Sequence, residues 1–514
     1  MAEKRFPLAL PPGVKIMGTD YQAKGRWSDS HLIRFFQGTI RPWGSWSRLV
    51  LDGDDATAGG TPEAEFPYGE PRAMIEWAPD IIGAAQPPVI AVGTTTGLYV
   101  IVNGDVFDIT PTEIISAGER DSRVWTLDVF GSYLVAAATD VEDFLERPRI
   151  FVWTGDTATV ASAIAEAPAA PTSLVVTEER FLFQLAGADP LGPNYTNFPD
   201  TPSVRTVFWA SRERLTDWTP TNTNTAGSFP LATNGALLAG RRLRGQTLLW
   251  TTTDLHAAIF IGGEFVYRFQ QVGDNCGAIS THAPVVVDNA AFWMGPNGFF
   301  AFDGAVRPIP CEVHDRVFEE IDRTRQHLTW GLALPQFGEV IWWYPTGAQN
   351  WHYVVFNYRE GHWAVGTLSR SCGLSRGAGQ EFPILATETF EFFRHEDPAA
   401  FGRPGPGPVP PGNEVPYLQS GPIEIEEGDR LFDLQAYIPD EGTVGDVALT
   451  VITNVERAGP EPRFIGPFPM AARTDIRASG RQISLYFEEV DPIGGTYAWQ
   501  IGAPSLVITP AGRR

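Results

Sequence analysis

The stretch Ala291-Phe292-Trp293-Met294-Gly295-Pro296-Asn297-Gly298-Phe299-Phe300-Ala301-Phe302-Asp303-Gly304 reads as strand, Gly-bounded turn, strand and two-residue turn in direct succession. Asp-Gly tolerates positive φ at both centres of a hairpin turn, and the resulting twist matches that of the flanking strands. The same pattern occurs earlier as Ile90-Ala91-Val92-Gly93, Thr94 to Thr96, Gly97, Leu98-Tyr99-Val100-Ile101-Val102 and Asn103-Gly104. Weaker copies end at Gly262-Gly263 after Ala257 to Ile261, and at Arg359-Glu360-Gly361 after Tyr353 to Asn357. An antiparallel meander that recurs along most of a chain predicts an all-β fold, and in particular a β-propeller built from serial meanders.

Outward from these repeats the chain divides by composition. Residues 1–60 form an Arg- and Trp-rich hairpin segment, in which Leu32-Ile33-Arg34-Phe35 and Ile40-Arg41-Pro42-Trp43 flank a Gln37-Gly38 turn. Residues 61–400 carry the propeller, with strand signals every eight to twelve residues or so. Two loops are expected beside it, one from 51 to 68 and a Pro-rich insertion from 187 to 205. One helix interrupts the strands: Val313, Val317, Ile321 and Leu328, with Phe318 beside them, recur at helical spacing and predict an amphipathic helix of about four turns. Residues 401–416 are a Pro/Gly linker, and residues 417–514 predict a smaller C-terminal β-sandwich-like domain.

The 514 residues include 16 Trp, 32 Phe, 52 Gly and 43 Pro, which suits short strands, aromatic packing and tight turns rather than helices. Charge is lopsided, with 61 acidic against 38 basic residues and a formal net charge of -23. Such a surface repels nucleic acid, because affinity for DNA comes from basic contacts to phosphate. Cys276, Cys311 and Cys372 form neither a C-x-x-C pair nor an even framework, which argues against a disulfide scaffold and a structural zinc site. No apolar run reaches the length of a membrane span, and the opening Met-Ala-Glu-Lys-Arg-Phe-Pro lacks the core of a signal peptide.

Candidate chemistry is sparse. Asp52, Asp54 and Asp55 lack the Gly and closing Glu that a calcium loop requires. His352 and His362 are placed to face one another across the hairpin at Arg359 to Gly361, without a third metal ligand of obvious spacing. Asp189, Glu213 and Asp254 are the acids that a propeller glycosidase would draw on, but nothing in their spacing singles them out. No serine nucleophile in a G-x-S-x-G turn is expected. No catalytic, metal or cofactor residue is therefore expected, and the chain is not expected to be an enzyme.

The opening Gly18-Thr19-Asp20-Tyr21, Gly25-Arg26-Trp27, Leu32-Ile33-Arg34-Phe35, Gly38-Thr39-Ile40-Arg41-Pro42-Trp43-Gly44 and Trp46 resembles the start of virion proteins of short-tailed bacteriophages. The block Gly273 to Gly304, and Ser211 to Pro220, are similar to the tail-nozzle proteins of that group, also called tail tubular protein B or packaged-DNA-stabilising proteins. That resemblance implies a structural subunit of a homo-oligomeric, hexameric ring below the portal and adaptor. Such a ring extends the DNA channel, retains the packaged genome and lets it pass at ejection. It implies as partners further copies of the chain, the adaptor or portal ring, tail fibres or a tail-tip protein, and double-stranded DNA that slides without sequence-specific binding. The location implied is the virion tail, assembled in the host cytoplasm. The C-terminal region departs from the family pattern. An alternative of a different class is a tail β-propeller that binds, or also cleaves, a receptor glycan, for which clustered exposed Trp and Tyr would speak.

Within the basic opening, Arg26, Trp27, Arg34, Arg41, Trp43 and Trp46 are the candidate interface residues, because Arg and Trp anchor interfaces by bidentate pairing and buried area. Arg34 and Arg41 are expected to project from one hairpin face towards an acidic surface on a neighbouring subunit or the adaptor.

Overall fold

A computed structural model of the chain describes residues 4–18, 20–51, 68–78, 80–81, 84–85, 88–140, 149–187, 203–347, 350–377, 379–397, 415–424, 431–445, 447–454, 462–470, 472–489 and 499–512. Most of the loop at 51–68, the core of the insertion at 187–205, and the linker at 401–416 up to residue 414 lie outside the described residues, as do Asp52, Asp54, Asp55 and Asp189.

The fold is an all-β propeller with a C-terminal β-sandwich. Among the described residues, seven four-stranded antiparallel sheets make seven blades. Blade 1 runs through Pro71–Trp77, Val89–Thr94, Leu98–Val102 and Asp105–Asp108, and blade 2 begins with Arg123–Phe130. The inner strands of the next four blades are Ser173–Val176, Leu237–Leu243, Val285–Val287 and Trp330–Leu334. Blade 7 has Cys372–Leu374, Ile384–Ala386 and Phe392–His395, and its fourth, outer strand is Trp46–Arg48 from the other end of the sequence. Each inner strand packs on that of the next blade, and Cys372–Leu374 returns to Pro71–Trp77, so the ring closes.

The repeated turns fall at one structural place. Asn103-Gly104, Gly262-Gly263, Asp303-Gly304 and Arg359 to Gly361 each join the third strand of a blade to the fourth. Asn103 (φ 55°) and Gly104 (φ 102°) show the left-handed backbone that this pairing of residues was expected to supply. Between neighbouring blades lie separate apolar clusters. Trp125, Leu98 and Val100 pack between blades 1 and 2, and Trp250, Trp293 and Phe302 between blades 4 and 5.

The sandwich takes strands from both ends of the chain. One sheet orders Lys4–Pro7, Ser505–Gly512, Leu431–Ile438 and Thr474–Gly480. The other orders Trp27–His31, Tyr417–Ser420, Gln482–Glu489, Val447–Asn454 and Arg463–Pro469, with Ile423–Glu424 also on Gln482–Glu489. The first fifty residues are thus divided among the sandwich sheets, a hairpin and the closing blade.

The inserted helix is shorter than its apolar spacing predicts. It spans His314–Glu320 and ends where Ile321 forms a bridge with Thr346 and Asp322 Oδ1 accepts the Thr324 N–H at 2.9 Å. That Asx turn offers the backbone a competing hydrogen bond, and Leu328 instead lies in a short 3-10 turn, Gln326–Leu328. A second short helix, Thr112–Ala117, follows blade 1.

Candidate functional site

Where the inner strands converge they leave a cavity of about 500 Å³ on the propeller axis, with residues of all seven blades in its wall. Strand geometry explains its character. Alternate residues of each inner strand face the axis, and here several of them are charged. Four arginines, Arg72, Arg241, Arg242 and Arg376, share the wall with two carboxyls, Glu76 and Asp128, so a chain of net charge -23 encloses a cationic lining.

Asp128 is fully engaged. Oδ1 accepts the Val129 N–H at 2.8 Å and Arg242 Nη2 at 2.9 Å, while Oδ2 accepts the Val176 N–H at 2.8 Å. One carboxylate therefore links blades 2, 3 and 4. Arg72 donates to Glu70 at 2.6 Å and to the Asp121 carbonyl at 3.0 Å. His282 spans the axis from the approach to blade 5 to the Trp125 carbonyl of blade 2, with Nε2 at 2.7 Å. Burial, reinforced by Arg241, pushes its pKa down to about 4, so the ring is neutral at neutral pH and Nε2–H is the donor.

Arg241 differs from its neighbours. Its donors go only to backbone carbonyls, Nε to Pro284 at 3.2 Å, Nη1 to Gly240 at 2.8 Å and Nη2 to Thr281 at 3.0 Å. Burial depresses its pKa to about 10, partly countered by Asp128. Neither oxygen of Glu76 accepts a well-formed hydrogen bond, and burial raises this carboxyl above its ordinary range. The wall can thus hold an oxyanion at Arg241.

The cavity also contains a pentapeptide not singled out above. Gly373-Leu374-Ser375-Arg376-Gly377 has G-x-S-x-G spacing and lines the wall at the end of the blade 7 inner strand. The serine elbow of hydrolases sits on a strained strand-to-helix turn. Here no helix follows among the described residues, and Ser375 makes no hydrogen bond to His282.

The residues expected to form an interface are placed elsewhere. The hairpin Ile33–Phe36 and Thr39–Pro42 forms as expected, with Arg34 directly opposite Arg41. Yet Arg34 does not project outward. It is 2% exposed and inserted between blades 6 and 7, with Nε 2.9 Å from Glu339 and Nη2 2.9 Å from Glu396. Burial alone would lower its pKa, and the two carboxylates overcome that and raise it. Its guanidinium lies 3.6 Å from the centre of the Phe337 ring, which Arg41 also approaches at 5.6 Å. Arg41 is half-buried, and desolvation and Arg34 lower its pKa.

Arg26 pairs with Glu312 of the same chain at 2.9 Å. Trp27 packs on Phe35 and Phe487, Trp43 on Tyr353, and Trp46 stacks on His395. These three indoles are core, and so are the other thirteen of the chain's 16 tryptophans. An exposed Trp platform for a glycan is therefore not present.

His352 and His362 do not face each other, because their cross-strand partners are Thr367 and Asn357, at opposite ends of the strand pair. His352 Nδ1 lies 2.8 Å from Glu320, and His362 Nε2 lies 3.1 Å from Glu360. Among the described residues no group of three or more His, Cys, Asp and Glu could hold a metal ion. Glu213 lies 3.9 Å from Arg180 at the surface, and Asp254 is buried with the Thr233 hydroxyl.

No family model and no curated protein matches the chain. Solved structures similar to it include an exo-β-1,3-galactanase from Phanerochaete chrysosporium, 11% identical over 76% of this chain and 97% of that one, with a TM-score of 0.26. The WD40 domain of Neurospora crassa Pan2 is 9% identical over 68% and 94%, with a TM-score of 0.37. A fucose-specific lectin from Aleuria aurantia is 10% identical over 58% and 95%, with a TM-score of 0.30. The expectation that the chain is not an enzyme is corrected here, since glycoside hydrolases stand among the propellers it resembles. At these scores the likeness concerns strand arrangement and transfers no activity, ligand or partner.

Proposed function

We propose that this chain is a saccharide-binding β-propeller of a short-tailed phage tail, with the axial cavity as its binding site. The observation that carries the proposal is the cavity itself. About 500 Å³ enclosed by all seven blades falls in the range of small-molecule sites. Its wall combines two charged groups without an ion-pair partner among the described residues, Arg241 and Glu76, with the slightly exposed Trp330, which is itself stacked on Trp343 at 4.2 Å. Apolar surface with a few convergent polar groups is what orients a saccharide. The phage setting rests on the resemblance of Gly25 to Trp46 and Gly273 to Gly304. The test is titration calorimetry of the purified protein with host surface polysaccharide, with chromatography of the glycan after incubation to separate binding from cleavage. Binding that is lost on Arg241→Gln supports the reading, and binding that cavity variants leave unchanged removes it.

The second reading, a ring-forming nozzle subunit that conducts DNA, is favoured by the same resemblance and by one surface feature. Arg463–Pro469 is the outer strand of its sandwich sheet, and Phe464 on it is 68% exposed. An open edge with an exposed aromatic ring is a surface that a neighbouring copy can cover. Electron cryo-microscopy of assembled tails showing the chain in a closed ring would place this reading first.

A further inference from the structure

We propose that the cavity recognises the carboxylate of an acidic sugar, with Arg241 as the group that holds it and Arg376 at the rim. This rests on the saccharide-binding reading and names the class of saccharide.

A guanidinium has five N–H donors. Arg241 spends three on the carbonyls of Pro284, Gly240 and Thr281, which leaves two N–H groups without an acceptor among the described residues. All three acceptors are neutral, and Asp128 is already satisfied by two backbone N–H groups and Arg242. Arg241 is thus a half-buried cation on the cavity wall with no ion-pair partner among the described residues. Leaving a buried charge unpaired is costly, and an anionic ligand relieves that cost on binding. Arg376 lines the same cavity, is exposed, and forms no ion pair among the described residues. Glu76 shares this wall and opposes an anion when ionised; its partial burial moves its titration upward from the ordinary carboxylate range.

The rest of the wall chooses among anions. Leu174, Val175, Leu332 and Trp330 belong to the same wall and make its apolar part, each only slightly exposed. A bare phosphate gains nothing from that surface, whereas the ring face of a uronic acid packs on it while its carboxylate pairs with Arg241. The net charge of -23 makes the molecule repel anionic polymers at a distance, so recognition depends on these local contacts.

The experiment is calorimetric titration of the full chain with D-glucuronate, D-glucose and inorganic phosphate, for wild type, Arg241→Gln and Arg376→Gln. Wild type is expected to bind glucuronate at least tenfold more tightly than glucose or phosphate. Arg241→Gln is expected to abolish that preference. Because Arg241 also ties backbone segments together, Arg376→Gln is the control at an exposed residue that forms no ion pair among the described residues, expected to weaken glucuronate several-fold at unchanged melting temperature. Glucuronate binding no tighter than glucose, or phosphate binding as tight as glucuronate, overturns the inference. If host polysaccharide still binds through the cavity in that case, the saccharide-binding reading stands and only the acidic specificity falls. If neither polysaccharide nor any monosaccharide binds, both fall.

Discussion

Arg34 shows how one residue type serves an interface and a core by the same chemistry. Bidentate pairing and aromatic stacking anchor surfaces between proteins, and here they anchor a hairpin to blades 6 and 7 through Glu339, Glu396 and Phe337. Replacing Arg34 by Glu would therefore gather three carboxylates in a closed site and unfold the region rather than probe assembly. Arg34→Met removes the main counter-charge of the buried Glu339 and the partly buried Glu396 and is expected to cost about 3–5 kcal/mol, whereas Arg26→Met, at a part-exposed pair, is expected to cost under about 1 kcal/mol. Urea denaturation of the two variants checks this, and equal losses would contradict it. His282 makes a second prediction at this scale. Its folded pKa of about 4 lies below the ordinary 6.5, so its neutral form contributes stability that is complete above pH 6.5 and is lost as pH falls towards 4. Between pH 7 and pH 5 that loss amounts to about 2 kcal/mol. His282→Gln should flatten this part of the pH profile in denaturant melts, and an unchanged slope would assign it to other groups.

At the scale of the element, local chemistry was readable where it alone decides the backbone. Asp303-Gly304 and Asn103-Gly104 mark hairpin turns because few residues accept positive φ there, and both turns occupy the same place in their blades. Gly304, at φ 117° with open space around its α-carbon, isolates the conformational part of that preference. Gly304→Ala is expected to cost about 1–2 kcal/mol. Gly298→Ala, also in open space but without a positive φ, should stay within about 0.5 kcal/mol. Denaturant melts followed by tryptophan fluorescence compare them, and equal costs would mean that packing rather than φ sets the effect. The helix was overread because a 3.6-residue period continues through Leu328, while the Asx turn at Asp322 ends the helix locally. A second repeat was legible in principle and missed. Thr94 accepts the N–H groups of Thr96 and Gly97, and Thr251 those of Thr253 and Asp254, so hydroxyl-closed turns join the second and third strands of blades 1 and 4.

For the whole molecule, the blade count, the closure by Trp46–Arg48 and the axial cavity depend on pairings between distant segments, which no local pattern encodes. Arg241 carries no signal in its own neighbourhood; it matters because seven inner strands meet. The same long-range pairing makes a prediction about integrity. Lys4–Pro7 and Trp27–His31 belong to the sandwich sheets, Trp46–Arg48 belongs to blade 7, and one apolar cluster runs from Phe292, Trp342 and Trp363 through Trp27 and Phe35 to Phe487 and Ile508. The N-terminal segment thus supplies strands to both propeller and sandwich and the two share one core, so chain continuity through residues 401–416 is not what joins them. A protease site placed in that Pro/Gly stretch and cut to completion should leave the two fragments co-eluting on size exclusion under native conditions, separating only in denaturant. Removing residues 1–31 as well withdraws two sandwich strands and much of the shared core, and the cut fragments should then come apart. Separation of the nicked full chain without denaturant would show that the N-terminal strands do not hold the molecule together.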